Sequence, residues 1–72
     1  MKLSDFIQTY DGEFFLRQHH STRQVTGTSI FHHIPEATKI PEKYLNETIY
    51  KCYPILADRD GRTQAIMIVI IL

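Results

Sequence analysis

Apolar positions along the chain change period several times, and each change marks an element. Leu3, Phe6, Ile7 and Tyr10 recur at i, i+3, i+4 and i+7, one stripe of an α-helix. Ser4 is placed to cap that helix, Asp5 to face its positive end, and Asp11-Gly12 to stop it, which predicts a helix over 4–11. Two turns do not persist alone in water, so this helix has to lie on something larger. Glu13–His19 alternates imperfectly and is rich in aromatics, and Thr28–Ile34 is β-branched and aromatic up to Pro35. Together they predict a hairpin joined by the polar stretch His20–Gly27. Pro41 suits the first position of a short helical turn over 41–46, with Tyr44 and Leu45 inward.

Thr48–Ala57 reads as a strand in which Pro54 removes a ladder donor, so an edge or bulged strand is expected. Asp60-Gly61 is the strongest hairpin signal in the chain and favours a type I′ turn. In that register Ile55 faces Ile66, Tyr53 faces Ile68 and Lys51 faces Ile70. The final strand runs from Arg62 to Leu72. The fold expected is one α+β domain over 1–72: about four strands, largely antiparallel, with a short N-terminal helix on one face.

The run from Ala65 to Leu72 is apolar on both sides of the pleat, and such a strand is covered on both faces. The helix at 4–11 covers one. The other falls either to residues 41–46 and the long connection, or to a second copy of the chain. The second arrangement is preferred, as a homodimer or higher homo-oligomer. Ile66, Met67, Ile68, Val69, Ile70 and Ile71 are then expected to serve core and self-contact together.

Composition narrows the class. Seventy-two residues hold one small domain; eight Lys/Arg balance eight Asp/Glu, and 43% of residues are apolar. That balance excludes a disordered chain, and a single cysteine excludes an internal disulfide framework. With no signal-like N-terminus and no apolar run of membrane-spanning length, an intracellular, cytoplasmic protein away from membranes is expected.

Candidate chemistry is sparse. His19-His20 and His32-His33 are adjacent pairs whose members point to opposite faces of a strand, so neither grips one ion, and no metal or cofactor is expected. Cys52 reads as a buried, inert thiol, with no oxyanion donors or orienting base at hand. Asp58–Gly61 lacks the ligand spacing of a calcium loop and is a turn. The basic residues are spread along the chain and matched by acids, the pattern of a solvated surface, so nucleic acid is disfavoured as a partner. No catalytic constellation emerges and no enzyme is expected. Phe31, Tyr50 and Tyr53 are the expected exposed aromatic anchors, with Arg17 and Arg62 beside them.

Lys2-Leu3-Ser4-Asp5-Phe6 opening a helix and Ile40-Pro41-Glu42-Lys43-Tyr44-Leu45-Asn46 preceding a C-terminal hairpin resemble small accessory proteins encoded by phages and prophages. The resemblance implies a class, proteins that bind and modulate or block a host or phage protein in the host cytoplasm, and transfers no site residues. The functional expectation is therefore a self-associating, inhibitor-like protein–protein interaction module. The alternatives are a small-ligand or nucleotide binder with its pocket between subunits, or a weak nucleic-acid-binding protein.

Overall fold

A computed structural model describes residues 1–20 and 28–72. Its elements are α1 (Leu3–Thr9), β1 (Phe14–Gln18), β2 (Thr28–His33), α2 (Glu42–Leu45), β3 (Ile49–Arg59) and β4 (Arg62–Ile71). The four strands form one sheet in the order β2-β1-β4-β3. The fold is α+β, as the hydrophobic pattern predicts. The sheet is mixed, because β1 runs parallel to β4 while the other two pairs are antiparallel. The expected connection His20–Gly27 lies almost wholly outside the described residues.

The β3–β4 hairpin has the register read from the sequence: Ile55 opposite Ile66, Tyr53 opposite Ile68, Lys51 opposite Ile70. Asp60 and Gly61 both have positive φ (49° and 75°), as a type I′ turn demands. The strand continues to Arg59 rather than ending at Ala57, because the turn pairs Arg59 directly with Arg62. Pro54 lies on an edge strand, as expected, but it takes no bond from the ladder. Odd-numbered residues of β4 bond to β1, shown by Met67 N–H donating to Glu13 C=O and His19 N–H to Ile71 C=O. Even-numbered residues of β4 therefore serve β3, where their partners are odd-numbered. The main-chain groups of Cys52, Pro54 and Leu56 point outward along the free edge.

α1 begins one residue earlier than Ser4 suggested, and the reason is tertiary. Lys2 bridges Thr48, Leu3 N–H donates to Glu47 C=O, and Ile49 N–H donates to Met1 C=O. The N-terminus is thereby bolted to the start of β3, and the helix must start at once. Lys2 is the N-cap, its N–H held by the Asp5 carboxylate. The helix ends at Thr9, before Asp11-Gly12, because Tyr10 turns extended and its hydroxyl donates to Glu13 C=O at 2.7 Å.

Leu3 and Phe6 of α1 pack on Phe14, Leu16, Val69 and Ile71, all fully or almost fully buried. α2 lies on this same side, with Tyr44 against the cluster and near Phe31. The turn at 41–46 thus does not cover the second face of β4. On that face Ile66, Ile68 and Ile70 are nonetheless at most 3% exposed within a single chain. Neighbouring strands do the covering: β4 is interior to the sheet, and Phe15 and Tyr53 flank Ile68 while Arg17 and Lys51 flank Ile70. The stems of long side chains shield apolar ground in this way while their charged heads stay wet.

Candidate functional site

Because side chains alternate along each strand, the face turned away from the helices can be assembled row by row. The middle row is His32, Phe15, Ile68 and Tyr53, read across β2, β1, β4 and β3. The next row toward the C-terminal end of β4 is Arg17, Ile70 and Lys51. Arg59 and Arg62 pair at the opposite end, beside the hairpin turn. Among the described residues no element packs over this face. It is an open sheet surface with a floor of buried isoleucines.

Rings stand along it. His32 stacks on Phe15 with centroids 4.1 Å apart and planes at 15°, and His19 stacks on Tyr50 at 4.0 Å. Lys51 Nζ lies 5.7 Å from the centre of the Tyr53 ring. Aromatic and cationic side chains are interleaved here.

Among the described residues Glu13 is the one side-chain carboxylate at an open-face position. Arg59 donates through both terminal nitrogens to its two oxygens, at 2.8 and 2.6 Å, and His32 Nε2 is the third partner. Burial alone would raise the Glu13 pKa; hydrogen bonds and charge from Arg59 and then His32 outweigh it, so the group is held below the ordinary glutamate range. On the helix side, His33 rests against the Phe14 ring and shares a 2.9 Å hydrogen bond with Thr38 Oγ1. Burial and the neighbouring His32 hold its pKa down.

Charge is sorted between the faces, and this corrects the reading of the basic residues as evenly matched. Among the described residues Arg17, Lys51, Arg59 and Arg62 occupy open-face positions, against Glu13 alone. Asp5 and Glu42 belong to the helices, Asp11, Glu36 and Glu47 to connecting segments, and Asp58 to a helix-side position of β3, bonded to Thr63. Asp60 sits at the hairpin tip. A chain of zero formal charge therefore presents a basic sheet face. Sequence reasoning missed this because Arg17 and Lys51, far apart in the chain, become neighbours only once β1 and β3 flank β4.

The other expected site residues fall in different places. Of the three aromatics taken as exposed anchors, Tyr50 is exposed (52%), Tyr53 is half-buried on the open face, and Phe31 is half-buried on the helix side. Phe31 is no free anchor: it pairs with Leu16 and packs against the core. Arg17 is half-buried and Arg62 exposed. Cys52, expected to be buried, is exposed, because α1 packs over β1 and β4 and leaves this helix-side position of the edge strand bare. Among the described residues no cluster of three metal-ligating side chains forms, and no helix is long and apolar enough to cross a membrane. Compared with protein-family models, with curated proteins and with solved structures, the chain matches none.

Proposed function

We propose that this chain is a non-enzymatic binding module whose working surface is the open sheet face, and that its partner is anionic. The observation that carries the reading is the sorting of charge, four cations against one carboxylate among the described residues of a single face of a neutral chain. Such a patch raises the local concentration of anionic partners and speeds their encounter, whatever the net charge. A binding role also fits the engagement of the face's acid–base pair. Glu13, gripped by Arg59 and His32, is a weakened base.

Cation-exchange chromatography at pH 7.5, above the sequence pI of about 6.9, tests this directly. The neutral-to-acidic chain is expected to be retained, and the Lys51→Glu/Arg62→Glu variant to pass through. Flow-through of the unaltered chain would remove the reading.

A second reading rests on a different observation. The free edge of β3 carries outward main-chain groups beside exposed Tyr50 (52%) and Leu56 (77%), and such edges accept added strands. Under it the chain pairs with a second copy or with another protein through that edge, and the second case is the partner-blocking accessory protein of a mobile element that the sequence resemblance implies. The burial of Ile66, Ile68 and Ile70 within one chain takes away the original motive for a twin, so the edge alone supports it. Sedimentation equilibrium at micromolar concentration tests self-association; a strictly monomeric protein would count against it.

A further inference from the structure

The open face can be assigned a ligand class, an assignment that rests on the binding-module reading above. We infer that its occupant is a single-stranded nucleic acid, held by phosphate contacts to Lys51 and Arg62 and by base stacking on the ring row containing Phe15 and Tyr53.

Three features select that class from among anions. The first is the conjunction of rings with cations. Phe15 and Tyr53 flank Ile68 on adjacent strands, about 10 Å apart at two strand spacings, and Lys51 stands beside Tyr53. Single strands offer an unpaired aromatic face and a charge at every residue, and they are bound by basic grooves with stacking platforms. An acidic peptide supplies the charge but nothing to stack.

The second feature is shape. The face is an open four-stranded sheet without a roof among the described residues, suited to splayed bases rather than to a compact ligand. From the Ile70 row to the Arg62 row is eight residue steps, about 26 Å, which accommodates about four extended nucleotides. The third is the sign of the charge. Two copies stacked face to face would juxtapose cation with cation, which disfavours self-packing on this surface.

The test is fluorescence anisotropy of a labelled ten-nucleotide oligothymidylate at 20 mM salt, with a ten-base-pair duplex and poly-glutamate as competitors. The single strand is expected to bind, with log K falling against log salt at a slope of about −1.4 for two phosphate contacts. Lys51→Glu, at an exposed position, should weaken binding about tenfold or more. Tyr53→Leu should weaken it roughly five- to a hundredfold by loss of stacking. Phe15→Leu provides a second ring variant should Tyr53→Leu fail to fold, with circular dichroism as the check. Competition by poly-glutamate as strong as that by the single strand, with both ring variants silent, would overturn the nucleic-acid assignment and leave the anionic-partner reading standing. Duplex bound as tightly as single strand would also overturn it. Binding of neither polyanion would overturn both.

Discussion

Arg59 reaches back from the hairpin tip to grip both carboxylate oxygens of Glu13, a residue 46 positions earlier in the chain. The pair ties the projecting end of β3 to the start of β1, on the same face as the stacked His32 and Phe15. Arg59 is 42% exposed, so solvent screens the interaction. Arg59→Ala is expected to cost about 1 kcal/mol, mostly by leaving a largely buried carboxylate with one partner fewer. Urea unfolding at pH 7 measures it, and an unchanged midpoint would show that the tie is cosmetic.

The same pair contributes to stability against acid. Glu13 has a native pKa below its ordinary 4.5, so the native state binds its proton less readily than the unfolded chain does. Its contribution is fully present above about pH 4.5 and fades as pH falls through the depressed native value. Glu13→Gln should flatten the stability curve in that window. A variant curve parallel to the parent's would contradict the assignment.

His33 acts in a higher window with the same sign. Its depressed native pKa means that the unfolded state takes up the proton first as pH drops below the ordinary 6.5. Stability is therefore lost from about pH 6.5 downward until the native histidine also titrates. His33→Gln is expected to remove this slope, read as the melting temperature at pH 7.5 against pH 5.5. An unaltered difference would assign the slope to other groups.

How far the sequence discloses these relationships depends on their range. The β3–β4 register follows from two adjacent residues, Asp60 and Gly61, and an alternation that starts there; Pro54 marks the edge by local chemistry alone. The start of α1 does not, because the bridge between Lys2 and Thr48 overrides the capping preference of Ser4. Nor does the exposure of Cys52 or the basic face. Both follow from strand order, and the parallel pairing of β1 with β4 has no turn residue to announce it.

Two glycines should respond to alanine for opposite reasons. A Cβ at Gly61 meets nothing within 4 Å, but φ of +75° strains any L-residue, so Gly61→Ala is expected to cost about 1 kcal/mol through the backbone. At Gly12 a Cβ would lie 2.6 Å from Tyr10 Oη, displacing a hydroxyl that is bonded to Glu13 C=O. Gly12→Ala should cost about 1–2 kcal/mol, and Tyr10→Phe made first should relieve little of it, since the ring carbon is at 2.7 Å. Denaturant melts of the three variants and the double variant test both statements.

The burial of β4 on both faces also has a measurable consequence. Ile68→Ala, on the open side, and Leu16→Ala, beneath α1, are each expected to cost about 2–5 kcal/mol. Leu56→Ala, at a residue 77% exposed, should stay within about 0.5 kcal/mol. An Ile68 variant as mild as the Leu56 variant would mean that the open face is not packed within the single chain.

Whether a ligand sits on the basic, ring-bearing sheet face is read, without any substitution, by amide chemical-shift mapping during titration with an oligothymidylate. Shifts concentrated at Phe15, Arg17, Lys51, Tyr53, Ile68 and Ile70, with Leu3–Thr9 and Glu42–Leu45 unmoved, are the predicted result. Shifts gathered on the two helices, or none at millimolar ligand in low salt, would contradict it.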